Sequence, residues 1–262
     1  MIILSYIKVI DAHCHLDDDA YSTDVRTVIE KAKMKGIIAI INCSLGPNYI
    51  PRGIALKEAY PNFIFLTFGL MPYELDEKLF TETIRLIKKY KEHIVGIGEV
   101  GLDYYWIRDH EKRKVMIERF REFIHLAQAM KLPLVIHSRS AGKYAISILI
   151  EENARNVLMH SFDGASSWVM RGVEAGFYFS VPTSVVYSTQ KQRMLSVLPL
   201  ENMLLESDSP VLSPIKGERN EPSNIIEYSL PKIAELKKVD VSVIAEETTK
   251  NAVKLFNLPI SY

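Results

Sequence analysis

Ile7-Lys8-Val9-Ile10-Asp11-Ala12-His13-Cys14-His15 carries two histidines two residues apart, directly after an apolar run from Ile7 to Ile10. With that run as a strand, the period of two puts both imidazoles on one side, aimed at one point. Cys14 is then turned away from them, and is expected to be buried and inert. The same stretch separates two architectures. An open doubly wound sheet carries a glycine-rich phosphate loop after its first strand, whereas this chain has His13-Cys14-His15 there. One His-x-His pair is weak evidence for a metal, because a cluster of ligands is what marks such a site.

Asp17, Asp18 and Asp19 follow, read as a solvated loop or a helix N-terminus. Asp24 to Lys35 has helical spacing of Val25, Val28, Ile29 and Ala32, and Gly36 stops it. Ile37 to Ile41 is apolar throughout, the pattern of a strand covered on both faces. This alternation continues along the chain. Helices are predicted over Ile50 to Ala59, Phe80 to Tyr90, Glu111 to Met130, Gly142 to Ile150, Ser166 to Glu174 and Gln190 to Leu198. Strands are predicted to begin at residues 7, 37, 63, 94, 134, 157, 177 and 203, the fourth covering Ile94 to Ile97. Eight strand-and-helix units in 262 residues fit an α/β fold, a single (β/α)8 TIM barrel, which typically takes about 250 residues. Residues 1–262 are read as one domain, closed by helices over Pro222 to Lys237 and Val241 to Phe256.

Lys+Arg and Asp+Glu both number 32, so the formal net charge is zero. A protein that wraps duplex nucleic acid shows a basic excess, so any nucleic-acid role here uses a small, local footprint. Two cysteines, Cys14 and Cys43, support no disulfide framework and suit a reducing compartment, read as the cytoplasm. Met1 to Tyr6 is apolar but short and lacks a basic leader region, so it is not read as a signal peptide. No stretch has the roughly 18 apolar residues of a membrane span. No disulfide-linked partner is expected, and the chain is expected to be a monomer or weak oligomer.

In a parallel barrel, chemistry sits at the carboxyl ends of the strands. Those ends carry His13 and His15 after the first, Glu99 after the fourth, His137 after the fifth, His160 after the sixth and Asp208 after the eighth. His93, His110 and His125 fall elsewhere and are read as structural or solvent-exposed. Four imidazoles and two carboxylates at one rim suffice for two divalent ions, with one carboxylate bridging. Nitrogen-rich ligands favour zinc, manganese, nickel or iron over calcium, and magnesium is compatible but prefers more oxygen. Two such ions activate a water and clamp a phosphate ester, so hydrolysis is the natural reaction.

Asp11 to Asp17, Gly96 to Tyr104, Leu132 to Arg139, His160 to Gly164, Glu206 to Pro210, Arg219 to Pro222, and Asn251 with Leu255-Phe256 resemble the TatD family of metal-dependent deoxyribonucleases, within the wider amidohydrolase-like barrels. The resemblance runs through nearly the whole chain in the family's order. It implies that His13, His15 and Asp208 hold one metal, that His137 and His160 hold a second, and that Glu99 bridges them where related barrels use a modified lysine. It further implies that Asp208 takes the proton of the attacking water. Arg139, two residues past His137, is a candidate substrate-binding residue for a phosphate oxygen, or the partner of a rim carboxylate. Tyr104, Tyr105 and Trp106 are read as packing a loop against the barrel in preference to stacking on bases.

Two positions depart from the family. Gly69-Leu70-Met71-Pro72 replaces the usual Gly-x-His-Pro, so an imidazole is lost, and Asp163 adds a negative charge near the mouth. The leading expectation is a two-metal phosphodiesterase acting on DNA, on single strands or ends. Met71 and Asp163 keep open a hydrolase of another ester or amide, such as an aminoacyl-tRNA bond or a small-molecule ester. A non-catalytic relic of the family is the remaining alternative.

Overall fold

The computed structural model describes residues 7–261 and forms an eight-stranded parallel barrel wrapped by helices. Strands and helices alternate as β1 (Val9–Cys14), α1 (Val25–Lys35), β2 (Ile37–Leu45), α2 (Ile50–Ala59), β3 (Ile64–Gly69), α3 (Glu77–Lys89), β4 (Gly96–Gly101), α4 (His110–Met130), β5 (Leu134–His137), α5 (Gly142–Glu151), β6 (Val157–Met159), α6 (Ser166–Glu174), β7 (Tyr178–Pro182), α7 (Thr189–Val197) and β8 (Met203–Glu206). Two helices follow, α8 (Leu230–Lys237) and α9 (Val241–Phe256), with one turn of π-helix at Ile225–Ser229 leading into α8. Each strand pairs in parallel with the next in sequence order. All eight predicted strands are present. Met1 to Tyr6, read above for a signal peptide, lie outside the described residues.

Helix ends are set by local chemistry. Asp76 accepts the backbone N–H groups of Lys78 and Leu79 at the start of α3, and Asp109 accepts that of Lys112 at the start of α4. At the far end of α1, Gly36 takes φ 107, where a Cβ would run into the backbone oxygen of Ile7.

Two apolar layers follow from strands covered on both faces. The larger lies between sheet and helices and holds Ile29, Phe68, Phe120 and Phe179. In the smaller, Ile10, Ile41, Phe65, Val135, Leu158 and Leu204 meet Ala252, Leu255 and Phe256 of α9 and Leu258. Residues from that many strands meet only in a barrel interior. Phe65, Val135, Leu158 and Leu204 are each the second residue of their strand, so α9 plugs the amino end. Asn251 of α9 donates to the carbonyls of Leu200 and Met203, which fixes the entry to β8. The carboxyl end is left to polar side chains.

Closure between β8 and β1 is made just past the end of β8. Asp208 N donates to His13 O at 3.0 Å and His15 N to Ser209 O at 2.8 Å. Below them the buried Asp11 carboxylate accepts both the backbone N–H of Ser207 at 2.9 Å and its hydroxyl at 2.5 Å.

Three expectations change. The fourth strand runs from Gly96 to Gly101 instead of Ile94 to Ile97, so Glu99 is inside it. Its glycines hid the strand, and they are needed there: a Cβ on Gly101 would lie 2.1 Å from His137 O, and one on Gly98 would lie 2.5 Å from the Val135 Cβ. Asp17 is buried and takes the Ser44 hydroxyl at 2.5 Å, while Asp18 caps a short turn and Asp19 is exposed. His110 opens α4 and is not part of the preceding loop.

Asp11→Ala takes the acceptor from the buried N–H groups of Ser207 and His13, leaves the Ser207 hydroxyl only the Ser209 hydroxyl beside it, and should cost about 3 kcal/mol of stability. Urea denaturation measures it, and an unshifted midpoint would contradict the role given to Asp11.

Candidate metal centre

Six predicted side chains converge on the floor of the carboxyl-end cavity. His13 and His15 come from the end of β1, Glu99 from β4, His137 from the last position of β5, His160 from the first residue after β6, and Asp208 from the second residue after β8. Glu99 is at the centre. Its Oε2 faces His13 Nε2 at 3.3 Å and His15 Nε2 at 3.5 Å. Its Oε1 faces His137 Nδ1 at 2.5 Å and His160 Nε2 at 3.5 Å. The carboxylate thus divides the four imidazoles into two pairs. Asp208 Oδ1 lies 3.6 Å from both His13 Nε2 and His15 Nε2, on the first pair's side.

In three of the four imidazoles the ring nitrogen turned away from Glu99 has its own partner. His15 Nδ1 donates to Cys43 O at 2.9 Å, which fixes its tautomer because a carbonyl only accepts. His137 Nε2 meets Asp103 Oδ2 at 2.9 Å, and His160 Nδ1 meets Glu206 Oε2 at 3.0 Å, with Ser180 donating to the same oxygen. An imidazole oriented by one nitrogen and offering the other is the arrangement of a metal ligand with outer-shell support. His13 goes further: it is fully buried and neither ring nitrogen has a hydrogen-bond partner. A buried imidazole without partners is costly unless something binds it. Three groupings of these residues, His13–His15–Glu99, His13–His160–Asp208 and Glu99–His137–His160, have ligand atoms close enough to share an ion. The residues fit divalent metal.

Electrostatics agree with that fit. Burial alone would raise the Glu99 carboxyl, but His160, His137 and His13 outweigh it and hold it well below the usual carboxylate range. Burial would lower His137, yet Glu99 and Asp103 carry it up to about 9. Lys191 is pushed down to about 8 by burial, against the pull of Glu206, Asp163 and Asp208. Its Nζ donates to the carbonyls of Ser161 and Phe162, pinning the loop that follows His160.

The cavity above the floor holds about 780 Å³. Asp17, Met71, Tyr73, Trp106, Arg139, Asp163 and Lys191 line its walls. Met71 stands on that wall. Of the two readings left open for Arg139, the ion pair is not formed among the described residues; its guanidinium lies 3.9 Å from the Tyr105 ring centroid. The packing expectation holds for half-buried Tyr104, which lies under Arg113. It fails for Tyr105 and Trp106, which are exposed. Their turn is held by backbone N–H bonds to Asp103, so the rings need no burial to be ordered. His93, His110 and His125 are exposed and do not line the cavity.

Asp103 and Glu206 were not singled out from sequence. A period-two signal was available for Glu206, two residues before Asp208. For Asp103 the signal was only its place in the Gly96 to Tyr104 motif.

A parallel (β/α)8 barrel with a cluster of four histidines and two carboxylates at its carboxyl rim defines the class. The model of the family described as TatD related DNase matches residues 10–257, and the chain belongs to that family. It is 37% identical to the deoxyribonuclease TATDN3 of Homo sapiens, across 95% of each chain. It is 35% identical to the uncharacterized metal-dependent hydrolase YabD of Bacillus subtilis, across 95% of this chain and 98% of that one. The crystal structure of the TatD homologue YjjV of Escherichia coli shares the fold, with a TM-score of 0.88 at 24% identity, covering 98% of this chain and 100% of that one.

Asp103→Ala should lower divalent-metal affinity by about 10- to 100-fold through the lost support of His137. Calorimetric titration of the EDTA-stripped protein with zinc or manganese measures this, and unchanged affinity would remove Asp103 from the centre.

Proposed function

We propose that this chain is a metal-dependent phosphodiesterase acting on DNA, at single strands or ends. The observation that supports it most directly is the Glu99 carboxylate set between two imidazole pairs, one oxygen to each. In this reading His13, His15 and Asp208 would hold one divalent ion and His137 and His160 another, with Glu99 available to both; zinc, manganese, nickel, iron and magnesium all suit such ligands. When bound, the pair of ions lowers the pKa of a water and stabilises charge on the attacking and leaving oxygens of the ester.

The chain's own residues do the rest. Asp208, held below the ordinary carboxylate range despite burial by His160, His15 and His13, is ionised at neutral pH and takes the proton of the attacking water. Its backbone N–H bond to His13 O keeps that carboxylate over the first pair. Arg139, exposed on the wall, reaches a phosphate oxygen of the strand. Asp163 would repel that strand, but its Oδ2 accepts the Ser140 N–H, and Lys191 is close enough to feel its charge. A neutral chain with local cations suits a short single-stranded footprint. Free, buried Cys14 and Cys43 support a reducing compartment, the cytoplasm.

Met71 on the cavity wall favours one second reading, a metal-dependent hydrolase of another ester or amide such as an aminoacyl-tRNA bond. The test is purified protein of known metal content, assayed with and without EDTA on single-stranded DNA, duplex DNA and aminoacyl-tRNA. EDTA should abolish hydrolysis and stoichiometric metal should restore it, with single-stranded DNA the preferred substrate. Asp208→Asn should keep its fold by circular dichroism and lose at least about 100-fold in turnover on the true substrate. Full turnover in that variant would overturn the assignment of Asp208.

A further inference from the structure

One wall of the cavity carries two aromatic rings that the fold leaves uncovered, Tyr73 and Trp106, with Tyr105 beside Trp106 at its edge. Tyr73, Tyr105 and Trp106 are 41%, 44% and 60% exposed, whereas Phe68, Phe120 and Phe162 are buried. Trp106 meets Tyr105 at 5.1 Å and Tyr73 at 6.3 Å between centroids, both edge-on. No ring is stacked parallel on Trp106 among the described residues. The Arg139 guanidinium lies 3.9 Å from the Tyr105 centroid and 5.9 Å from that of Trp106, so a cation sits at the edge of the cluster.

The cluster is also tied rigidly to the floor. Asp103 Oδ1 accepts the backbone N–H groups of Tyr105 and Trp106, each at 3.0 Å, while its Oδ2 holds His137 at 2.9 Å. One carboxylate therefore sets both the aromatic turn and an imidazole that faces Glu99. Trp106, Tyr73 and Arg139 line the same cavity as Glu99 and His137.

A flat, uncovered Trp106 ring beside a guanidinium matches a ligand that is flat and uncharged in one part and anionic in the next, which is the chemistry of a nucleotide strand. We propose that Trp106, flanked by Tyr73 and Tyr105, is a stacking platform for a nucleobase next to the phosphate on the floor. The platform rests on the phosphodiesterase reading above and adds to it the recognition of an unpaired base. A base inside a duplex presents no free face, so the platform selects single strands or frayed ends.

Trp106 reports on itself, because the chain has two tryptophans and the other, Trp168, lies on α6 outside the cavity lining. The full-length Trp168→Phe protein, stripped with EDTA to stop hydrolysis, is titrated with a six-nucleotide oligothymidylate and with a six-unit abasic strand of equal phosphate number. The base-bearing strand should quench Trp106 emission and bind about 5- to 100-fold more tightly than the abasic one. With labelled strands read by anisotropy, Trp106→Ala should erase that preference and Trp106→Phe should retain most of it. Equal affinity for both strands, no binding of the base-bearing strand, or a preference that survives in Trp106→Ala overturns the platform. Metal-loaded protein tested on the same strands separates the two readings. Cleavage of both strands with equal binding removes the platform and keeps the phosphodiesterase; base preference at Trp106 without cleavage of any strand does the reverse.

Discussion

A single buried carboxylate, Glu99, organises the molecule. An isolated charge in a protein interior costs several kcal/mol even after relaxation, so it persists only where compensating groups surround it. Here four imidazoles from β1, β5 and the turn after β6 supply that compensation, and three of them are oriented by Cys43 O, Asp103 and Glu206. Each of those partners comes from another strand or strand end. The requirement of one ion thus spreads over most of the barrel's rim. A closed parallel barrel meets it because all its carboxyl ends point inward at one place.

The two ends of the barrel solve opposite problems. At the amino end, α9 fills the interior with Leu255 and Phe256, and its Asn251 satisfies two carbonyls at the entry to β8. At the carboxyl end, apolar filling is replaced by ionisable groups at the floor of an open cavity. The seam lies between them, where Asp11, Ser207 and the backbones of His13 and Asp208 join β1 to the segment beyond β8. It is made largely of polar contacts, and it sets the position of Asp208 relative to both histidines of β1.

The fold was legible because strands buried on both faces read as continuous apolar runs, Ile37 to Ile41 being the clearest, and because glycine stops such as Gly36 separate them from helices. β4 was the exception. Its Gly96, Gly98 and Gly101 are demanded by close backbone approach to β5, and they removed the apolar signal that marks a strand. The convergence of the six candidate ligands was legible because sequence order alone places all of them at strand ends on one rim. The groups behind them were harder to see. Asp103 acts across two strands through His137, and Asp17 is buried by Ser44 of β2, relations that depend on register and not on local pattern. Tyr105 and Trp106 misled for a related reason: a turn ordered by backbone bonds to Asp103 can expose rings that ordinarily serve to pack it.

The seam also bears on how the chain acquires its chemistry. Asp11 and Ser207 stand 196 residues apart in sequence and adjacent in space. A contact of such separation forms late, after most of the chain-closure entropy has been spent. During synthesis the strands emerge in order, so the histidines of β1 stay without Asp208 beside them until β8 and the Ser207-Asp208 segment have left the ribosome. The complete set of six groups, Asp208 among them, comes together only when the ring closes, so the polar cluster around Glu99 is coupled to completion of the barrel.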